Sequence, residues 1–216
     1  MKIHNLSETN SVANNFLAEI RDVKVQNDRL RFRKNLSRLG EILAYEMSKH
    51  LDFEEESITT PLSSVKQKVI NKQPILISIL RAGMPFFEGV QSFFDHADAG
   101  FVGAFRSSDF SATSLIELSY FAVPDLSDKI LVIADPMLAT GQSVIDTIDQ
   151  LKRYGTPRKV FLLAVIAAPE GIKNIENNCD VSIDLWCGAI DEKLNNKAYI
   201  VPGLGDAGDL AYGPKL

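Results

Sequence analysis

Apolar residues recur along this chain at two kinds of interval, which predict different elements. Leu36, Leu39, Leu43 and Met47 lie three or four positions apart, the spacing of an amphipathic helix with one face on a core. Elsewhere the apolar residues form short runs, which are typical of strands in a buried sheet. Such runs predict strands over 74–80, 99–106, 116–123, 129–134, 159–167 and 181–186.

Helical stretches follow several of these predicted strands. One begins at Pro85, a second runs from Ser143 to Tyr154 and is stopped by Gly155, and a third begins at Pro169. Strands that alternate with helices predict an α/β fold, in which a mostly parallel central sheet is flanked by helices. Such sheets bind ligands beyond the carboxyl ends of their strands.

The chain is expected to form a single domain over residues 1–216, because it is long enough to bury one core and shows no linker. Residues 1–50 are predicted to form an N-terminal helical arm. The glycine-rich stretch from Asp191 onward is predicted to be a loop, and residues 187–216 to fold as a small hood over the strand ends. A polar segment, Ser107–Ser114, is expected to be mobile.

Composition narrows the classes of function. The longest apolar run, Val160–Ala168, is far shorter than the roughly 20 residues of a membrane-spanning helix. The first residues are polar and do not resemble a secretory signal, so we expect a cytoplasmic protein. Cys179 and Cys187 match neither a disulfide framework nor a zinc site, so we expect both thiols to be reduced. A net charge of −5 argues against nucleic acid as a partner. The densest basic cluster, Arg29–Lys34, is expected to be a solvated surface or a subunit contact.

One segment combines a buried strand, a carboxylate and a turn into a helix. It runs from Val132 to Ser143 and places Asp135 directly after the strand. The N–H groups of the helix start, with the hydroxyls of Thr140 and Ser143, can hold a phosphate, while Asp135 can reach sugar hydroxyls. The same pattern also occurs as an ordinary Asp-Pro turn with a threonine cap. It is not a Walker loop, since no Gly-Lys-Ser/Thr is present.

The segment Asp135-Pro-Met-Leu-Ala-Thr-Gly141, with Ser143 two residues on, resembles the phosphate loop of type I phosphoribosyltransferases and looks like their uracil-specific branch. Three further strings are similar to that branch: Tyr199–Asp209, Ile79–Gly83 and Ala167–Gly171. They occur in the family's order from about residue 30 onward. The resemblance implies the family's fold and an enzyme that joins uracil to 5-phosphoribosyl 1-diphosphate (PRPP), giving UMP and pyrophosphate.

The resemblance also implies roles for individual residues. Arg81 and Arg106 would contact the diphosphate, which guanidinium groups match well, although either could be a surface ion pair instead. Ile200, Gly205 and Ala207 would bind uracil, with Asp206 beside them and turned toward PRPP. The catalytic residues would be Asp135, Arg81 and Asp206. The ribose and 5-phosphate would be held by Asp135, Pro136, Met137, Leu138, Ala139, Thr140, Gly141, Gln142 and Ser143.

Three properties of the whole protein follow from the same resemblance. Mg²⁺ would be carried mainly by PRPP, so we expect no dedicated metal site in the protein. The partners would be the small molecules uracil and PRPP, with no membrane and no nucleic acid. We also expect a homodimer or a larger homo-oligomer.

The chain departs from the family pattern at two positions. Gln142 stands where relatives carry a glycine: at positive φ it would cost about 1 to 2 kcal/mol, whereas in the first helical turn it would be harmless. The second alternative is favoured. Relatives usually carry a basic residue at the position of Leu210, so one positive charge near the C-terminal loop is missing.

Two other functions fit parts of the pattern. An enzyme of the same fold could use orotate, xanthine or hypoxanthine, but the C-terminal string resembles the uracil branch. A regulator that keeps the fold and binds RNA would need a basic face, which the acidic composition disfavours.

Overall fold

Strands and helices alternate along most of the chain in the computed structural model, which describes residues 1–106 and 116–214; the side chains of 104–106 and 116–119 lie outside this description. The predicted mobile segment Ser107–Ser114 also lies outside it. The strands are β1 (Lys2–Asn5), β2 (Phe53–Thr59), β3 (Ser64–Ile70), β4 (Ile75–Leu80), β5 (Ala99–Arg106), β6 (Ile116–Ala122), β7 (Ile130–Ala134), β8 (Met137–Leu138), β9 (Lys159–Ala167), β10 (Ile183–Ile190), β11 (Lys193–Leu194) and β12 (Ile200–Val201). The α-helices are α1 (Ala13–Arg21), α2 (Arg29–Ser48), α3 (Gly83–Gln91), α4 (Gln142–Leu151), α5 (Pro169–Asn178) and α6 (Ala207–Tyr212).

The central sheet has the strand order β1-β10-β9-β7-β4-β5-β6, and the short β8 pairs with β9. Neighbouring strands are parallel except for β5 and β6, which are antiparallel. All five residues of β7 are buried, as expected for a strand covered by helices on both faces. The predicted mostly parallel α/β sheet is confirmed.

Alternate residues of the sheet enter two separate cores. In β4, Leu76 packs into the core formed with α1, α2 and α3, whereas Ile75 and Ile77 face the core formed with α4 and α5. The predicted apolar face of α2 is confirmed, since Leu36, Leu39, Leu43 and Met47 are all fully buried. No helix in the described ranges has the length and apolar content required to span a bilayer.

Several predicted boundaries differ from the structure. The last strand was predicted to end at Trp186, but β10 continues to Ile190 because Cys187 and Ala189 are buried and keep pairing with β9. The helix predicted from Ser143 begins one residue earlier, ends in a 3-10 turn, and stops at Gly155 as predicted, where φ is +116°.

The chain ends contain elements that the sequence did not predict. The first residues form β1, which pairs with β10 at the sheet edge, so a strand precedes the helices of the N-terminal region. The stretch from Asp191 onward was predicted to be a loop, and this is wrong in part, because it contains β11, β12 and α6. The hairpin of β2 and β3 was also missed. These elements are short or exposed and lack a continuous apolar run.

The order of the strands fixes where a ligand can bind. After β4 the chain builds β5 and β6 on one side of it, and then returns to build β7, β9 and β10 on the other side. Such a reversal opens a crevice between the carboxyl ends of the two strands where the direction changes. These strands are β4 and β7, which are followed by Arg81 and Asp135.

Candidate active site

Arg81 follows β4 and reaches toward the C-terminal helix. The Leu80–Arg81 peptide bond is cis, and the Arg81 Nη2 donates a hydrogen bond to Asp209 Oδ1 at 3.2 Å. A Cβ placed on Gly208 would lie 3.2 Å from Arg81 Nη2 and 3.1 Å from Asp206 Oδ1. The fold therefore brings Arg81 and Asp206, separated by most of the chain, to the same point.

The Arg81–Asp209 ion pair lies at the surface, with 39% of the Arg81 side chain and 43% of the Asp209 side chain exposed. Exposed ion pairs contribute little to stability. A more highly charged anion can therefore replace Asp209 as the partner of this guanidinium at small cost.

Asp135 lies at the end of β7 and is fixed by the backbone. Its N–H donates to the Leu163 carbonyl at 3.1 Å, and its Oδ1 accepts a hydrogen bond from the Met137 N–H at 3.2 Å. Burial of the carboxyl raises its pKa to about 6, although the Met137 hydrogen bond acts in the opposite direction. The site thus holds a carboxylate whose negative charge is poorly solvated.

The segment between Asp135 and α4, called the phosphate turn below, leads to a helix N-terminus. Gly141 has φ of +75°, which a residue with a Cβ adopts only with strain, and it is the N-cap of α4. The Gln142 N–H lies 3.3 Å from Thr140 Oγ1. The free N–H groups in the first turn of α4 and the positive end of its dipole lie where the loop enters the helix. This arrangement can bind a phosphate.

Helix α5 supports this turn from behind. Asn174 Nδ2 donates to the Thr140 carbonyl at 2.8 Å, and the Ala168 N–H donates to the Leu138 carbonyl at 2.8 Å. A Cβ on Gly141 would lie only 2.7 Å from the Gly171 carbonyl oxygen. The string Ala167–Gly171 therefore has a structural role next to the phosphate turn. Asn174 was not singled out in the sequence, because an asparagine within a short helix carries no local signal.

Gln142 occupies the first position of α4, so the favoured alternative for this residue is confirmed. Its exposed side chain turns along the helix, and Nε2 donates to Asp146 Oδ1 at 2.7 Å. The amide side chain is therefore directed to its own helix, and the backbone conformation is one that glutamine adopts without strain.

We expect Gln142→Gly to lower the free energy of unfolding by roughly 1 kcal/mol, because glycine is costly in a helix and the Asp146 contact is lost. PRPP binding should stay within a few-fold, since the backbone N–H is kept. Thermal melting and calorimetry measure the two effects. Gln142→Ala, which keeps a good helix former, is the control and should melt close to the parent. A glycine variant that melts higher would contradict this interpretation of the turn.

The C-terminal loop, residues 200–207 and also called the base loop below, combines buried apolar residues with an exposed glycine. Ile200 and Ala207 are buried, whereas Gly205 is exposed and has φ of +95°. Asp206 caps α6 by accepting a hydrogen bond from the Asp209 N–H at 3.0 Å. The apolar side chains of Ile200 and Ala207 are thus directed into the core, and Gly205 and Asp206 lie exposed between them.

The sequence also singled out Arg106 and Leu210 near the proposed site. Arg106 is the last residue of β5, and its side chain lies outside the described part of the chain. Leu210 lies on α6 and packs partly against the core. A basic side chain from another helix contacts α6, since Arg33 Nη1 donates to the Ala211 carbonyl at 2.7 Å. At least this member of the Arg29–Lys34 cluster therefore makes a contact within the chain.

Comparison with known proteins assigns the family. A sequence model described as uracil phosphoribosyltransferase matches residues 7–214. The chain is 42% identical over 216 residues to a uracil phosphoribosyltransferase of Porphyromonas gingivalis, covering 100% of both proteins. It is 38% identical to that of Pyrococcus furiosus, covering 91% of this chain and 84% of the relative.

Solved structures agree at the level of the fold. A protein structure from Aquifex aeolicus matches with a TM-score of 0.87 and 34% identity, and covers 98% of each chain. A hypoxanthine-guanine phosphoribosyltransferase from Bacillus anthracis matches with a TM-score of 0.50 and 11% identity, over 76% of this chain and 80% of that one, so it supports the fold alone. On the strength of the family match over residues 7–214 and of a relative aligned over its full length at 42% identity, the chain belongs to the uracil phosphoribosyltransferase family.

Proposed function

We propose that this chain transfers the 5-phosphoribosyl group of PRPP to uracil, giving UMP and pyrophosphate in pyrimidine salvage. The observation that carries the proposal is the convergence of three segments at one edge of the sheet. The Arg81 loop and the Asp135 turn flank the crevice between β4 and β7, and α6 brings the C-terminal loop to Arg81. An anion site, a carboxylate and a backbone-lined base site therefore adjoin one another.

PRPP would lie across the crevice, with its 5-phosphate at one end and its diphosphate at the other. The turn from Asp135 to Ser143 would hold the 5-phosphate at the start of α4 and the ribose hydroxyls at the Asp135 carboxylate. Arg81 and Arg106 would bind the diphosphate, because guanidinium groups can contact two phosphate oxygens at once. This arrangement would hold the anomeric carbon between Asp135 and the C-terminal loop.

The reaction breaks the bond from the anomeric carbon to diphosphate and forms one to N1 of uracil. The diphosphate leaves with the bonding electrons, and the N1 proton of uracil is released to solvent. The ribose carries positive charge while the first bond is broken and the second is incomplete. Asp135 and Asp206 would stabilise that charge, and the low solvation of Asp135 strengthens its effect. The main work of the protein is to position the two substrates and to stabilise charge.

The donor set at this edge fits the Mg²⁺ ion that the family implies. The carboxylates of Asp135 and Asp206 are oxygen ligands, which this cation prefers. Within residues 1–106 and 116–214, no group of three or more His, Cys, Asp or Glu side chains is arranged to hold a metal. We propose that PRPP oxygens supply most ligands; when bound, the ion would neutralise charge on the leaving diphosphate.

Uracil would be recognised by backbone groups of the C-terminal loop. One edge of the base carries alternating hydrogen-bond donors and acceptors, which N–H and C=O groups near Ile200, Gly205 and Ala207 could satisfy. Ile200 and Ala207 are 5% and 3% exposed as whole residues, whereas Gly205 between them is exposed, so its backbone is open to the base. A site that hydrogen-bonds a base in this way rejects bases whose edge pattern differs.

Mixing the protein with PRPP, Mg²⁺ and one base at a time, and measuring released pyrophosphate, tests the proposal. Uracil should support turnover, whereas orotate, xanthine and hypoxanthine should not. Turnover with another base in place of uracil would assign a different substrate. No turnover with any base, together with binding to RNA, would favour a regulatory role.

We expect Arg81→Lys to lower kcat/KM for PRPP by about tenfold to a hundredfold, because an ammonium group cannot reproduce the two-pronged contact of a guanidinium. Steady-state kinetics with PRPP as the varied substrate measures the change. Arg158→Lys is a suitable control, since Arg158 pairs with Asp52 at 2.6 Å on another part of the surface. Equal kinetics of the Arg81 variant and the parent would remove Arg81 from the site.

We propose that the protein forms a homodimer or a larger homo-oligomer. The hairpin of β2 and β3 supports this, because an isolated two-stranded hairpin is marginally stable in water, yet all seven residues of β2 are exposed. Ile58 and Val65 face each other across the hairpin and are 39% and 49% exposed, and Leu62 at its tip is 97% exposed. A second copy of the chain could cover this surface.

Light scattering at micromolar concentration should give a mass above that of one chain, and Ile58→Asp should lower it. Ser57→Asp is the matched control, since neighbouring residues of a strand lie on opposite faces. A monomeric parent protein would refute the association.

We place the enzyme in the cytoplasm, because PRPP is a highly charged metabolite that does not cross a bilayer unaided. Both thiols support this, since Cys179 and Cys187 are free.

A further inference from the structure

The C-terminal loop is tied to α1 by a largely buried ion pair. Arg21 contacts Asp191 through two hydrogen bonds, Nη1 to Oδ2 at 2.9 Å and Nη2 to Oδ1 at 2.6 Å. The Asp191 side chain is 4% exposed and that of Arg21 is 23% exposed. This two-pronged geometry fixes both side chains in orientation as well as in distance.

Both members of the pair also hold the backbone of Gly203. The Gly203 N–H donates to Asp191 Oδ2 at 2.8 Å, and the Gly203 carbonyl accepts a hydrogen bond from Arg21 Nη1 at 3.0 Å. The peptide groups on both sides of this residue are therefore fixed by one ion pair. Without these bonds, a glycine in this position would be among the most mobile points of the loop.

A neighbouring side chain extends the same attachment. Gln26 Nε2 donates to the Leu204 carbonyl at 3.0 Å and to the Ile20 carbonyl at 3.0 Å. The loop is thus held at residues 203 and 204, immediately before Gly205. The anchors are Arg21 at the end of α1, Gln26 in the segment that follows it, and Asp191 directly after β10.

The buried Arg21–Asp191 pair is expected to add little to the stability of the fold, because the cost of moving two charges out of water offsets much of their attraction. Its geometry has a clearer use if Gly205 and its neighbours bind uracil through their backbone. Backbone recognition needs the N–H and C=O groups to be placed within a fraction of an ångström, and glycine-rich segments do not hold such positions unaided.

We propose that Arg21 and Asp191 are positioning residues for the base, which act on uracil recognition through Gly203 and leave PRPP binding unaffected. The inference rests on the function proposed above. Neither residue touches a substrate. They fix the segment that does, and Gln26 provides a second, independent attachment of the same segment.

A matched pair of variants tests the inference. Arg31 forms an equally two-pronged pair with Glu19, which lies on α1 two residues before Arg21, but this pair joins α1 to α2 and does not reach the loop. Arg21→Lys should raise KM for uracil by about tenfold, with KM for PRPP changed by less than about twofold. Arg31→Lys should leave both values unchanged within the same limit. Asp191→Asn should behave as Arg21→Lys does.

Other outcomes would overturn the inference. An unchanged KM for uracil in a folded Arg21→Lys protein, or an equal rise in KM for both substrates, would show that the pair does not position the base loop. If neither Arg21→Lys nor Asp191→Asn folds, Asp191→Glu decides, because it keeps the charge but displaces the carboxylate from the Gly203 N–H; an unchanged KM for uracil would then reject the proposal. A parent protein inactive with uracil and PRPP would instead refute the proposed function.

Discussion

Asp135→Asn should keep its fold, lose at least about a hundredfold in turnover, and melt at a higher temperature than the parent at pH 8. The substitution barely changes volume, but it removes the negative charge that we propose to lie beside the reacting carbon. The same charge is poorly solvated in the folded protein, where the pKa of Asp135 is raised to about 6. Loss of activity and gain of stability therefore have one cause.

The sign of the pH dependence follows from this raised pKa. The folded protein binds the Asp135 proton more tightly than the unfolded chain, so ionisation destabilises the fold as pH rises through about 6. The difference in Tm between Asp135→Asn and the parent should be full at pH 8 and vanish below the unfolded pKa of about 4. At pH 8 it corresponds to at most about 3 kcal/mol.

A second aspartate supplies a control of opposite sign. Hydrogen bonds from the Ser127 hydroxyl and N–H lower the pKa of Asp125, which lies away from the crevice. Its ionised form stabilises the fold, so Asp125→Asn should melt lower than the parent at pH 8 and keep full turnover. An Asp135→Asn protein with parental kcat would contradict the role given to this residue.

Gly205→Val should abolish the use of uracil and leave the dissociation constant for PRPP within a few-fold of the parent value. Gly205 has φ of +95°, which a β-branched residue avoids, and its exposed backbone lies where the base is expected to bind. Calorimetry with each ligand alone separates the two effects.

A glycine outside the base loop controls for backbone strain. Gly213 has φ of +92° at the end of α6, and the nearest atoms to a Cβ there would belong to the flexible Arg29 side chain, at 3.2 Å. Gly213→Val also places a β-branched residue at positive φ and should still convert uracil. If Gly205→Val also converts uracil, the base binds elsewhere.

The sequence predicted the elements that are buried over their full length. The strand predicted over 159–167 has the observed bounds of β9, because a continuous apolar run has few alternatives to a covered strand. Gly155 was recognised as the end of a helix for a local chemical reason, its tolerance of positive φ. In contrast, β1 and the hairpin are short or exposed, and their sequences contain no apolar pattern that would distinguish them from loops.

The long-range contacts of the site could not be predicted in the same way. Arg21 and Asp191 are 170 residues apart, and each is an ordinary charged residue in its local sequence. The contact between Asn174 and Thr140 likewise depends on how α5 packs against the phosphate turn. The order of the strings in the chain indicated which segments form the proposed site. Only the fold shows which residues hold those segments in place.

The pairing of β1 with β10 has a consequence for the order in which the enzyme is completed during synthesis. The first residues of the chain find their strand partner only after residues 183–190 have been made, because Lys2 lies beside Asp184 and Asn5 beside Cys187. Until then, β7, β9 and the phosphate turn can assemble without this edge of the sheet. The base loop follows later still, at residues 200–207. A growing chain should therefore acquire its phosphate site first and its ability to select a base last, when its two ends meet.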